Sequence, residues 1–283
     1  MKSLKAPASV LLMLCLLLML SACGGAPATP DASVDPGASA ASSVDPADSA
    51  APESSVQPEE SAEPAPPPLT AEDVFAMDAG TVLTPDQIEE VGVDQLFRSM
   101  KIPDSVFARM DGVSYGEGCV VPRKRLRYVR VLHRGFDGKT HIGELVCNRA
   151  LAKDLLEIFR ELYDNDYPIE KMLLVDNYDG DDERSMEDNN TSCFNFRPVP
   201  NTEHLSQHAY GRAIDINPLY NPYITSSGYT PTNAGDYVDR SKDTPYKIDE
   251  NDLCYQLFTQ RGYTWGGSWN NVKDYQHFQL KAE

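Results

Sequence analysis

The chain has 283 residues and carries 43 acidic against 25 basic side chains, a formal net charge of −18 at pH 7. So acidic a balance argues against a partner recognised through its phosphates, and nucleic acid is excluded as a ligand class. With 41% hydrophobic residues the chain still has enough apolar material for one folded domain with a core of its own.

The N-terminus opens with Lys2 and Lys5, an apolar run from Val10 to Leu20, and then Leu20-Ser-Ala-Cys23. A basic start followed by an apolar stretch too short for an ordinary membrane span predicts a secretory signal over residues 1–22. The Leu-Ser-Ala-Cys ending resembles the lipobox of bacterial lipoproteins, which implies that Cys23 is the lipid-modified first residue of the mature protein. Gly24 to Leu69 holds eight acids, no lysine, no arginine and no aromatic ring, and is almost all Ala, Pro, Ser, Asp, Glu, Gly and Val. Such a segment cannot bury enough apolar surface to offset its conformational entropy, so residues 23–69 read as a lipidated cysteine and a disordered, proline-stiffened tether. From Thr70 onward 23 basic residues face 35 acidic ones, a balance of −12. Cys119, Cys147, Cys193 and Cys254 are scattered without a C-x-x-C pair, which argues against a cysteine zinc knuckle and leaves disulfides and buried thiols both open.

Residues 70–95 read as a short helical lead-in: Thr84 caps a helix whose first position is Pro85. The main domain is expected over residues 96–283. Arg125 to His133 alternates basic and apolar side chains, the period of a half-buried strand; Phe136-Asp-Gly138 turns, and His141 to Cys147 returns. A helix follows, capped by Asn148, with Leu151, Leu155, Ile158, Phe159 and Leu162 on one face and an end near Asn165. Lys171 to Asp176 reads as a strand, Asp179 to Asn190 as an acidic loop, Thr191 to Arg197 as an alternating run, and Pro218 to Asp243 as a long surface loop. Asp249 or Asn251 opens the last helix, stopped at Gly262; a tight Trp265-Gly-Gly-Ser-Trp269 turn then feeds a final strand from Gln276 to Leu280. His133, His141 and His204 read as solvated, and Trp265 and Trp269 as packing. Strands and helices mix without βαβ regularity, so the expected fold is α+β: a single domain, mainly antiparallel sheet with flanking helices, and a zinc site in a cleft on one sheet face.

Two stretches carry the chemistry, Ser206-Gln-His-Ala-Tyr-Gly-Arg-Ala-Ile-Asp215 and Asp274-Tyr-Gln-His277. If Ala213 to Asn217 is a strand, Asp215 faces away from Ile214 and Ile216, which enter the core, and Gly211 lets His208 fold back beside it. In the last strand His277 and Gln279 share a face opposite Phe278 and Leu280. Two imidazoles and one carboxylate suit a single zinc ion with a fourth position open for water. Asp274 can then act as general base and afterwards as general acid, and a cationic donor, Arg197 first and Arg184 second, can stabilise a developing oxyanion.

The pattern Ser206-x-His208-x-x-Gly211-x-Ala213-x-Asp215 with Trp265-Gly-Gly and Asp274-x-x-His277 resembles the D-alanyl-D-alanine carboxypeptidase-like zinc peptidases, which include vancomycin-resistance D,D-peptidases and phage L-alanyl-D-glutamate endolysins. The resemblance implies one zinc ion on His208, Asp215 and His277, Asp274 as acid/base, Ser206 near the substrate, and an arginine on the carbonyl oxygen. It also implies cleavage of peptidoglycan stem peptides, as a D-Ala-D-Ala carboxypeptidase or an L-Ala-D-Glu-type endopeptidase; the signal and Cys23 place the expected monomer outside the cytoplasm, meeting the membrane only through its lipid. The competing expectation is a non-catalytic wall-binding lipoprotein with a structural zinc. A two-lobed solute-binding lipoprotein needs more chain than remains after the tether.

Overall fold

In the computed structural model the described residues are 67–200 and 202–281. The expected signal, Cys23 and the expected tether up to residue 66 lie outside them. Among the described residues no helix is long and apolar enough to cross a membrane.

Helix α1 (Ala71–Ala76) and helix α2 (Pro85–Val91) flank the two-residue strand β1 (Val82–Leu83). Both helices begin with capping boxes: the Thr70 and Thr84 hydroxyls accept the third backbone N–H while Asp73 and Gln87 reach back to the cap. Pro85 occupies the first helical position, where its missing N–H costs nothing. The lead-in is part of the main sheet, because β1 pairs antiparallel with a strand of the central hairpin.

After strand β2 (Arg98–Met100) and helix α3 (Asp104–Met110) comes that hairpin, β3 (Leu126–Arg134) and β4 (Thr140–Asn148), in nine-residue register from Leu126↔Asn148 to Arg134↔Thr140. The four-stranded antiparallel sheet has the order β1-β4-β3-β2. Alternation along the hairpin predicts a half-buried sheet, but both faces are covered. Val129, Val131, Leu145 and Cys147 belong to one core cluster; Leu132 and Ile142 pack with the lead-in helices, and Leu126, Tyr128 and Val146 with α3 residues. Arg130 is tolerated inside because the Tyr128 hydroxyl and the Met77 carbonyl accept its N–H groups at 2.9 and 2.8 Å.

Helix α4 (Ala152–Asp164) lays Leu155, Ile158, Phe159 and Leu162 on the first of those faces. Its cap is not Asn148. That side chain accepts the Ala150 N–H in a turn upstream, and the cap position, Leu151, has no side-chain bond. The strand expected over Lys171–Asp176 is absent as well. Leu173 is clamped instead by the Asn190 side-chain amide, which accepts its N–H at 2.8 Å and donates to its carbonyl at 2.9 Å, so a side chain replaces the strand partner. Within the expected acidic loop lies helix α5 (Asp182–Glu187), capped by Asp181 and acidic in its first turn, where the helix dipole favours negative charge.

The C-terminal part holds β5 (Ala213–Asp215), the hairpin β6 (Tyr223–Thr225) and β7 (Gly228–Thr230), helix α6 (Leu253–Gln260), β8 (Thr264–Trp265), β9 (Lys273–Asp274) and β10 (His277–Gln279). The hairpin interrupts what alternation-free sequence predicts to be loop, and α6 is capped by Asp252, not by Asp249 or Asn251. Two three-stranded antiparallel sheets result, β5-β10-β8 and β7-β6-β9. The expected single main sheet is therefore three sheets. All are antiparallel, and the fold is α+β. Cys119, Cys147, Cys193 and Cys254 are free thiols, the last three buried.

Candidate metal centre and cleft

Strand β10 pairs with β5 in the register His277↔Asp215, Phe278↔Ile214 and Gln279↔Ala213. Directly opposed residues share a face, so Phe278 and Ile214 enter the core while His277 and Asp215 stand side by side on the other face. His208 arrives from the 3₁₀ turn Gln207–Tyr210, whose cap Ser206 accepts the His208 N–H with its hydroxyl. Gly211 ends that turn at φ +64° and lies against the hairpin: a β-carbon there would sit 2.7 Å from the Asn148 nitrogen. The Gly211 carbonyl in turn accepts the Asn148 N–H at 2.8 Å. Only glycine combines that backbone conformation with so close an approach.

His208 Nε2 stands 3.1 Å from Asp215 Oδ2, His277 Nδ1 is 2.9 Å from Asp215 Oδ1, and the two ring nitrogens are 3.2 Å apart. Ligand atoms about 2.0–2.1 Å from one tetrahedral zinc stand roughly 3.3 Å from each other. The two ring nitrogens have that spacing, each has a different Asp215 oxygen beside it, and one ligand atom from each of the three residues lies within 4.8 Å of the others. Each imidazole is held from behind. His208 Nδ1 donates to the Cys193 carbonyl, and His277 Nε2 donates to Gln279 Oε1 at 3.0 Å. Those bonds direct His208 Nε2 and His277 Nδ1 toward the shared centre, the arrangement that outer partners of metal-binding histidines provide. Among the described residues this is the group of histidines and acids that can hold a metal ion, and all three members are buried.

Burial alone would raise the Asp215 pKa, but the charge of His208 and hydrogen bonds from both imidazoles hold it well below the usual carboxylate range. Burial works against charge on His277, and Asp215 more than offsets it, raising the imidazole to about 9. A cation bound at the centre would take the place of that proton. Asp274 behaves oppositely. Burial pushes its carboxyl up to about 7, the charge on His277 opposing and that on Asp215 adding to the rise. Its Oδ2 is 4.0 Å from His277 Nδ1, and its Oδ1 is buried with no hydrogen-bond partner. Gly266 makes room for it, since a β-carbon there would meet the Asp274 carbonyl oxygen at 2.5 Å.

These groups lie in a cleft of about 630 Å³. Ser206, Arg197, Trp269 and Tyr223 line it, as do Asp182 and Met186 from α5 and the β6–β7 hairpin. The hairpin is fixed to the site through the pairing Tyr223↔Asp274. Arg184 does not line the cleft: it is more than half exposed and pairs with Asp179 at 3.1 Å. Trp265 is core, its Nε1 donating to the Tyr275 carbonyl, whereas Trp269 stands 5.4 Å from the His277 ring. His204 is exposed, but His133 is buried, with its Nδ1 on the Ile169 carbonyl. Two participants escaped the sequence reading. Asp182 sits in what looks like a loop, although Asp181-Asp182-Glu183 is itself a helix-start signal, and the Cys193 carbonyl is backbone, with no sequence signature.

No curated protein and no solved structure matches the chain. Residues 200–280, which carry Ser206, His208, Asp215, Asp274 and His277, match the family model described as D-alanyl-D-alanine carboxypeptidase, and that match supports placing the chain in this peptidase family.

Proposed function

We propose that the protein is a zinc-dependent peptidase that hydrolyses peptidoglycan stem peptides, releasing a terminal D-alanine or cutting within the stem after L-alanine. The observation that carries the reading is the convergence of His208 Nε2, Asp215 and His277 Nδ1 within hydrogen-bond distance of one another, beside a buried carboxylate with an unpartnered oxygen. Zinc in a three-ligand site supplies a Lewis acid and a water acidic enough to attack near neutral pH. Asp274 takes the proton of the attacking water and returns it to the leaving amine; burial raises its carboxyl above the ordinary range, the direction both tasks need. Arg197 donates to the carbonyl oxygen as negative charge develops there. Ser206 orients His208 through its N–H and borders the substrate. A secretory signal and a lipid on Cys23 would hold the domain beside the wall as a monomer. The unpartnered Asp274 oxygen favours catalysis over a purely structural metal, because a buried acceptor left without a donor costs stability and calls for another role.

Incubating the purified protein with muropeptides ending in D-Ala-D-Ala, with zinc or with a chelator, and reading products by mass spectrometry tests this. Zinc-dependent loss of one alanine, or a cut after the first L-alanine, is the expected result. Intact muropeptides in a sample that holds one metal per chain would make the site structural.

A further inference from the structure

Arg197 and Asp182 form an ion pair inside the cleft, their side chains 22% and 23% exposed. Asp182 accepts from Nη2 of the guanidinium, while Nη1 has only a long contact, 3.4 Å, to the Pro198 carbonyl, and Nε is buried without an acceptor. One arm of the fork is therefore tied down and one arm is nearly free. Resting on the hydrolase reading above, we propose that Asp182 is a positioning residue, which anchors Arg197 through Nη2 so that Nη1 is the donor offered to the carbonyl oxygen under attack.

Asp182 is itself well placed to act as an anchor. It occupies the first position of α5, behind the Asp181 cap. The helix is tied to the loop that follows β7: the Thr232 N–H donates to Glu183 Oε1 at 2.7 Å, the Thr232 hydroxyl to Glu187 Oε1 at 2.6 Å, and the Asn233 amide to the Glu187 carbonyl at 3.0 Å. That loop belongs to the same hairpin that pairs with Asp274. Anchor and acid/base thus both line the cleft and are both tied to the β6–β7 hairpin and the loop that follows it. Arg184, on the same helix, shows the contrast: its partner Asp179 is 88% exposed, and solvent screens the pair.

The Asp182 charge also sets what Arg197 does not do. An unpaired guanidinium binds any ground-state carboxylate in the cleft, which lowers KM without raising kcat. With its charge already balanced, Arg197 is left to respond to charge that appears during the reaction, so loss of Asp182 is read in kcat. Asp182→Ala, Asp182→Asn, Arg197→Ala and the double variant Asp182→Ala/Arg197→Ala are compared with the unaltered protein on one muropeptide, with metal content and circular dichroism recorded for each.

Arg197→Ala is expected to lose about 100- to 1,000-fold in kcat, the scale of removing one oxyanion donor. Asp182→Ala is expected to lose on the order of 10- to 100-fold in kcat, with KM unchanged or lowered and metal retained. Asp182→Asn, which keeps an acceptor oxygen, falls between. The double variant matches Arg197→Ala, because two residues acting through one donor are not additive. Unchanged kcat in Asp182→Ala, or a double variant that loses the product of the two single effects, overturns the positioning role alone. Full kcat in Arg197→Ala overturns the Arg197 assignment and the inference with it, while an unaltered protein that cleaves nothing overturns the hydrolase reading beneath both.

Discussion

Asp274 and His277 are three residues apart, yet burial and neighbouring charge separate what they do with a proton: one carboxyl rises to about 7 while the adjacent imidazole rises to about 9 beside an ionised Asp215. On the proposed mechanism, Asp274→Ala removes the proton carrier and no ligand atom. It is expected to keep one zinc per chain by elemental analysis and to lose about 10²- to 10⁴-fold in kcat, the usual yield of general acid–base catalysis. Retained turnover would reassign the acid/base.

A second histidine gives a stability handle away from the cleft. Burial lowers His133 from 6.5 to about 4, opposed by its bond to the Ile169 carbonyl; His141 lowers it further and Asp137 raises it. Its folded pKa lies below its unfolded value, so the unfolded chain takes up the proton first as pH falls. The contribution is complete above about pH 6.5 and is lost toward pH 4, the loss reaching about 2 kcal/mol by pH 5. Asp252, raised by burial to about 6, works in the opposite sense, losing stability as pH rises from 3.8 to 6. Comparison with His133→Gln isolates the histidine: between pH 7.5 and pH 5 the urea midpoint should fall further in the unaltered protein than in the variant, and parallel pH profiles would contradict the buried neutral ring.

At the level of elements, the metal turn depends on a contact that spacing cannot reveal. Gly211 is legible as a turn residue, but that its backbone presses on Asn148 of β4 emerges only in three dimensions. Gly211→Ala meets both a left-handed backbone and a 2.7 Å clash, and is expected to cost at least about 2 kcal/mol in denaturant unfolding and to weaken zinc retention against a chelator. The long hairpin β3–β4, α4, the capped α2 and the strand pair bearing Asp215 and His277 are all readable, because each has a period or a cap written in consecutive residues. The misreadings share a cause. Asn190 replaces a strand partner for Leu173, Asn148 spends its side chain one turn early, and α5 is only six residues long, too short for a period to show. In each, a single polar side chain or a chain-distant partner decides the outcome. The same holds for the site: the metal-binding set is visible in the motif, whereas the choice between Arg197 and Arg184 waits on which side of α5 meets the cleft.

At the scale of the whole chain, the matched segment 200–280 contains the candidate metal ligands and Asp274 but neither Arg197 nor the core that supports them. Ile214, Ile216 and Phe278 share a core cluster with Val129, Leu145, Leu155, Ile158 and Phe159. A fragment of residues 200–283 leaves those apolar faces in water and is expected to lack cooperative unfolding by circular dichroism and to bind no stoichiometric zinc. A folded, metal-loaded fragment would show that the small sheet is autonomous.

The seat of Gly211 on Asn148 carries a kinetic corollary. The three metal-binding groups are separated by up to 69 residues of chain, and the first of them cannot take its place until β4 offers a backbone surface from a still earlier region. Closing such long loops is the slow part of reaching a native topology. If the site holds zinc as proposed, its capture during refolding is a late event and a clock for it: a metal-sensitive dye should be quenched in step with the slowest phase of tertiary fluorescence, after the hairpin has already formed.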